Sequence, residues 1–544
     1  MPEVPAIGKG AFPDGGQHDP AAQNRAENPR PRGRRFEPTL PTLRWWHFLI
    51  FAVVYLYAFP YFDRLRNANE MPRILMTKAM VDHRVLYLDQ VQGELFTHTD
   101  TSVAPSGHIY PNKPPGPSLL AVPIYALCKL FGFTSLRAVT WAFRVITVTI
   151  PSLLFLPIFY GLSRRFASDE LSRRVALVAF ALGSQQFPYA LLFMSHALTA
   201  VFTGLAFYSA VALVRRGTSR PVWAAANVGL GCSLAVAMDY QAALPSLVIG
   251  LYVLLCSRRR VLHTVLMALG ALPIATFLGL YHKVAYGGVF ETGYAFAVDT
   301  ALKNGFMGLV GPNRISFVNT VLLPSNGLLV LAPWILLALV GAVAVAIHRG
   351  LRTRCGAETL ACAVILVADV LMLSSLVPYM SRNGWSVGPR YMTVVMPFVG
   401  WMAATGFAVA RRYAVIKVLG LALVVASVVV FVVGGTMFPH WPDRLANPLY
   451  DLVFPLLGRG YAVHSLGTAV GLHGIFAIAP LYLFTLLAVM WLFGLARKRA
   501  LPALVVVCSL AGLIVLGHRA FPMTDQSVVN PWPMIHTIWE PRGR

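Results

Sequence analysis

The sequence predicts an all-α fold, a polytopic transmembrane bundle of about thirteen helices, on three observations. Apolar residues make up 57% of the chain and charged residues only 12%, with a mean hydropathy of +0.63; a soluble domain carries about 25% charged residues. Runs of roughly 20 apolar residues recur, such as GLLVLAPWILLALVGAVAVAI at 327–347, each long enough to cross a ~30 Å hydrocarbon core. The basic residues behind the net charge of +23 lie in short clusters between those runs. That is the positive-inside pattern of a membrane protein and not a nucleic-acid-binding surface.

Taken in order, residues 1–44 are rich in Pro, Gly, Asn and Arg and include RPRGRR. They lack the apolar core and cleavage site of a signal peptide, so a disordered basic cytoplasmic tail is expected. Basic clusters follow at 163–174, 215–220, 257–260, 348–354, 411–412 and 497–499. Burying one Arg at a helix centre costs ~2.5–3.5 kcal/mol, so all of them must be loops. With these loops on the cytoplasmic side, spans fall near 45–62, 139–161, 175–193, 197–214, 221–238, 241–256, 261–284, 327–347, 357–378, 391–410, 414–437, 471–495 and 501–517. The N-terminus is then inside and the tail 518–544 extracytoplasmic. The run SLLAVPIYALCKLFGF (118–133) is short and holds Pro123 and Lys129. As a span it would reverse every later cluster, so it is expected to lie on the outer leaflet as an amphipathic helix. The long outer loops are 63–138, 285–326, 379–390 and 438–470. The six cysteines show no CxxC pair and no metal-like spacing, so neither a disulfide framework nor a cysteine metal site is expected.

Informative polar residues gather on the outer side. In the first loop Glu70 stands just before a short surface helix expected over 71–81, with Asp63, Asn69 and Arg73 nearby. An acid at a helix start is also simply favoured by the helix dipole. Lys113 sits among prolines in YPNKPPGP, where a fixed cation can meet an anion such as a lipid phosphate; the alternative is a side chain snorkelling to head groups. His196, and then Asp239 with Tyr240, occupy outer hairpins. Glu291 and Tyr294 follow the seventh span, and Trp385, Arg390 and Tyr391 precede the tenth. Interfacial aromatics are common in any membrane protein. Their convergence with carboxylates and cations on one face suits a cavity that handles a sugar attached to a lipid phosphate.

On the stretches NANEMPRILMTKAMV (67–81), YPNKPPGPSLLAVPIYALCKLFG (110–132) and GPRY (388–391), the chain resembles the GT-C superfamily of integral-membrane glycosyltransferases. Within it the chain is most similar to family 39, which includes protein O-mannosyltransferases and the lipid A aminoarabinose transferase. Residues 45–300 carry most of the resemblance, which implies a catalytic transmembrane module there and C-terminal helices over 301–517. PSNGLL and WSVGPRY extend it further. The resemblance implies a polyprenyl-phosphate sugar donor, a lipid, glycan or protein acceptor, and chemistry on the extracytoplasmic face of the cell inner membrane. Carried over by position, Lys113 is the donor-phosphate contact; in the transferase reading the displacement is single and inverting, and Arg390 and Arg73 join Lys113 on the phosphate. Asn69, Tyr110, His196, Asp239, Tyr240, Glu291, Tyr294, Trp385 and Tyr391 would then line the substrate site. Two departures stand out. The family commonly has Asp-Glu where this chain has Asn69-Glu70, and Glu-Lys where it has Asn112-Lys113. Asn69 cannot act as a base, which leaves Glu70, Asp63 or a carboxylate elsewhere.

No P-loop or GxGxxG marks a nucleotide-sugar site, and no His/Asp cluster shows metal-ligand spacing, so no metal or other cofactor is expected. Two other readings compete. A transporter or flippase would place ionisable groups near the midplane, where Asp369 is the clear mid-span acid. A non-catalytic subunit that binds a lipid-linked sugar would tolerate Asn69.

Overall fold

The computed structural model describes residues 45–539 apart from 96, 383, 497, 526 and 528. The expected tail at 1–44 and the last five residues lie outside the described residues. Among the described residues, nine helices are long and apolar enough to cross a membrane, from Leu136–Phe166 to Leu501–Ala520. The other four expected spans are helical but shorter or interrupted: Trp45–Tyr57, Glu170–Ala181 followed by Gln186–Ala190, Ala243–Cys256, and Leu328–Leu331 followed by Ile335–Ile347. Pro333 lies at the second interruption, in keeping with the missing N–H and fixed φ of proline. The chain is a multi-pass helical membrane protein.

Small residues set the closest helix pairs. A Cβ on Gly229 would meet the Met267 carbonyl and one on Gly270 the Ala226 carbonyl, so Pro221–Met238 and Arg260–Tyr286 touch backbone to backbone. Gly341 and Gly406 do the same for Ile335–Ile347 and Met396–Ala410, against Met402 and Leu337. Membrane helices associate through packing rather than hydrophobic exclusion, and glycine allows this close approach.

The long segment after the first helix is folded over one end of the bundle. Its surface helix runs Met71–Asp82, with Pro72 in the first turn, where a missing N–H costs nothing. A hairpin pairs Thr101–Val103 with Ile109–Pro111, and Gly107 takes a left-handed φ of 85° in its turn. The chain then enters the helix Gly116–Leu130. That helix lies against Met71–Asp82, tied by Lys129 Nζ to Asp82 Oδ1 at 2.6 Å, and leaves Leu127, Leu130 and Phe131 exposed.

Candidate active site

The hairpin register builds the centre of the site. Thr101 pairs with Pro111, and the Asn112 N–H donates to the Asp100 carbonyl at 3.1 Å. Asp100 and Lys113 are thereby set side by side where the strands end. Lys113 Nζ lies 3.3 Å from Asp100 Oδ1, and both side chains are largely buried. Burial pushes the Asp100 carboxyl up, but Lys113, Arg390 and Arg73 outweigh it and hold it below the usual carboxylate range. Burial alone would lower Lys113; the Asp100 charge reverses this and keeps the ammonium fully charged.

A polar chain extends inward from this pair. Asn69 Nδ2 donates to Asp100 Oδ2 at 3.2 Å. Arg73 donates to the Asn69 carbonyl at 2.6 Å and also to its side-chain oxygen. A second Arg73 nitrogen reaches Ser195 Oγ at 3.4 Å, and Ser195 donates to Asp239 Oδ2 at 3.1 Å. His196 Nδ1 stands 3.1 Å from the same Asp239 oxygen, with its ring edge-on to Tyr391 at 5.2 Å.

A cavity of about 630 Å³ opens on this centre, lined by Asn69, Asp100, Lys113, Trp385, Arg390 and Tyr391 among others. The Arg390 guanidinium sits 5.2 Å from the Tyr391 ring, and its buried Nε has no hydrogen-bond partner among the described residues. A second cavity of about 660 Å³ is mainly apolar. Leu244 and Leu247 of Ala243–Cys256 and Leu371 and Met372 of Arg349–Ser374 form its walls, under the segment 302–311. Asp239, Tyr240 and Tyr294 stand at its polar end, with Lys113 Nζ 4.7 Å from the Tyr294 ring and Tyr240 Oη 2.7 Å from His282 Nε2. Leu302, Met380 and Tyr391 line both cavities.

Several expected site residues lie elsewhere. Glu70 is closed off: its two oxygens accept from Arg144 at 2.9 and 2.7 Å, and one also accepts from the Phe193 N–H at 2.6 Å. Arg144 outweighs burial and holds Glu70 ionised, but no lone pair is presented to the first cavity, whose lining omits it. Asp63 and Glu291 are exposed and line neither cavity. Tyr110 is buried among Tyr87, Tyr281 and Tyr286, behind the hairpin.

Sequence reasoning missed Asp100, Arg144 and His440. Asp100 was visible in DTSVAPSGHIYPNK, where two short β-prone runs flank a Pro-Ser-Gly turn and place Asp100 opposite Asn112. His440 offered no such signal. Asn67 Oδ1 accepts from the N–H groups of Asn69 at 2.8 Å and Glu70 at 3.3 Å, so its Nδ2 donates to His440 Nδ1 at 3.0 Å. A neutral ring then carries its proton on Nε2, and a backbone hydrogen bond joins it to Trp385. Burial, opposed by Glu70, pushes the His440 pKa down to about 4, so it is neutral at pH 7. His440 thus ties the loop holding Trp385 and Arg390 to the start of the surface helix. Among the described residues, no group of three or more His, Cys, Asp or Glu side chains is placed to hold a metal ion.

In fold the chain is similar to ArnT from Cupriavidus metallidurans bound to undecaprenyl phosphate, at 15% identity over 92% of this chain and 81% of that one, with a TM-score of 0.50. The apo form of ArnT from Cupriavidus metallidurans gives 16% identity, 87% and 75% coverage, and a TM-score of 0.48. The archaeal oligosaccharyltransferase AglB from Archaeoglobus fulgidus, in complex with an inhibitory peptide and a dolichol-phosphate, gives 14%, 87%, 56% and 0.43. No protein-family model matches the chain, and no curated protein sequence matches it significantly. The GT-C-like fold expected from the sequence is the observed one.

Proposed function

We propose, from the fold shared with ArnT and the geometry of the two cavities, that the chain transfers a sugar from a polyprenyl-phosphate carrier to a hydroxyl acceptor on the outer face. One observation carries the reading. Lys113 and Arg390, the latter with an unpartnered buried Nε, stand beside Asp100 in a polar cavity that shares a wall with an apolar groove. Leaving a buried donor unmade costs about 1–3 kcal/mol, which a phosphate oxygen would recover.

The isoprenoid tail would lie in the groove between Ala243–Cys256 and Arg349–Ser374, with its phosphate on Lys113 and Arg390. The sugar would then extend into the first cavity towards Asn69 and Trp385. In one displacement the acceptor oxygen bonds to the anomeric carbon while the bond from that carbon to the phosphate oxygen breaks. The bonding pair leaves on the carrier phosphate, and the hydroxyl proton passes to a carboxylate. Asp100 is the cavity carboxylate set against Lys113, whereas Glu70 is spent on Arg144. In the free protein Lys113 keeps Asp100 a weak base. A bound phosphate shares that cation and so raises Asp100 towards basicity only when donor is present. General-base help of this kind is worth about 10²–10⁴-fold, and fixed cations on a developing phosphate in a low-dielectric site contribute at least as much.

The test is turnover of a panel of radiolabelled polyprenyl-phosphate sugars by purified protein, with lipid extract as acceptor. The expected result is release of polyprenyl phosphate by wild type, weak donor binding by Lys113→Ala, and donor binding without turnover by Asp100→Asn. A wild type that binds the carrier lipid yet turns over no donor would reject the transferase reading in favour of a binding subunit.

A further inference from the structure

The cavity beside Asp100 and Lys113 has a wall that the donor does not need. Leu302, Met380 and Tyr391 join it to the groove, whereas Arg64, Arg66 and the terminal helix Trp532–Trp539 line this cavity alone. That helix divides its faces cleanly. Trp532, Ile535 and Trp539 are buried. Trp532 receives the Arg459 guanidinium 3.3 Å from its ring, and Trp539 packs 4.7 Å from Phe62 while its Nε1 donates to the Ala462 carbonyl at 3.2 Å. Met534, Thr537 and Ile538 are left to line the cavity, at the three- and four-residue spacing of one helix face. The anchoring is therefore independent of the face that a substrate would touch.

Among the described residues, the two arginines beside this face form no ion pair. Arg64 donates to the Thr537 carbonyl at 3.3 Å and Arg66 to the Glu94 carbonyl at 2.8 Å. Among the described residues, neither has a carboxylate within ion-pair distance, in contrast to Lys78, Lys129 and Arg144 of the same outer region. Asp443 and Asp299 line the cavity too, but neither pairs with Arg64 or Arg66.

We propose that Met534, Thr537 and Ile538, with Arg64 and Arg66, form the acceptor subsite, and that the acceptor carries an anionic group close to the hydroxyl it offers. This rests on the transferase reading for the word acceptor, while the anion-attracting character of the wall stands apart from it. Two measurements on the full chain in nanodiscs separate them. In the first, Thr537→Cys is labelled with anionic or cationic methanethiosulfonate reagents and read by site-resolved mass spectrometry. The anionic reagent should react roughly tenfold faster, and adding Arg64→Gln with Arg66→Gln should bring the two rates together. Equal rates, or a faster cationic reagent, in the Thr537→Cys protein would overturn the anion assignment. In the second, Ile538→Trp should abolish transfer to lipid-extract acceptors while undecaprenyl phosphate binds within twofold of wild type. Loss of that binding would place the donor at this wall, and unimpaired transfer would remove the wall from the site; either result overturns the subsite. A wild type inert on every donor would reject the transferase reading, with the labelling ratio still deciding the charge of the wall.

Discussion

Glu358 and Asp100 are both buried acids flanked by cations, at opposite ends of the bundle, and they differ in what is left over. Glu358 accepts from Arg215 at 2.5 and 2.8 Å, from Arg165 at 3.3 Å and from Tyr252 at 3.2 Å. Four helices are clamped by it, and no capacity remains. Asp100 has one contact to Lys113 and one to Asn69, beside a cavity. Glu70 follows the first pattern, held 2.7 Å from its arginine close to the candidate site. Burial beside that site does not by itself leave a carboxylate available; unspent hydrogen-bonding capacity facing a cavity does.

Four measurements would break or sharpen this contrast. The largest effect is expected for Asp100→Asn, a loss of roughly 10²–10⁴ in turnover with the fold retained and a melting temperature lowered less than by Glu358→Ala. A parallel loss of fold would make Asp100 a second clamp. Glu358→Ala should do the reverse. Stripping one partner from a buried pair costs about 3–5 kcal/mol, visible as a lower melting temperature, with undecaprenyl phosphate binding retained below it.

An intermediate effect is expected from pH. His440 has a folded pKa near 4, below the ordinary value of about 6.5, so the unfolded chain binds the proton first. Stability should fall as pH drops from about 6.5 towards 4, and melting curves of His440→Phe should lose that slope. The depressed Asp100 adds a further loss at still lower pH, present above the carboxylate range and gone below its folded value. The smallest effect is expected for Asp63→Asn and Glu291→Gln. Both are exposed, and such changes usually stay within about 0.5 kcal/mol, so a change in turnover beyond twofold for either would reopen it as a site residue.

The bundle was legible because hydropathy and basic loops are one-dimensional signals: each predicted span falls on helix, whole or interrupted, and Pro123 and Lys129 fall in the shorter apolar helix Gly116–Leu130. Lys113, Arg390, Asn69, Trp385 and Tyr391, singled out because chemistry-bearing residues in loops have few other roles, line one cavity. What failed was pairing. Glu70 looked available because nothing local occupies it, but its partner Arg144 lies 74 residues on, inside a span where a buried charge reads as an anomaly. Tyr110 looked like a stacking platform, yet the hairpin turns it away from the cavity to meet Tyr286. Asp100 was overlooked although its register with Asn112 was written in the turn between them.

The glycine seams bear on how substrates come and go. Where Gly229 faces Met267 and Gly406 faces Leu337, backbones already touch, and sliding either helix pair would drive carbonyls into each other. The bundle behaves as a fixed chassis, and opening must fall to parts bolted onto it. The segment over the groove is the one equipped for that: Gly305, Met307, Gly308 and Gly311 all take positive φ within seven residues, a run of swivels set between two unyielding walls.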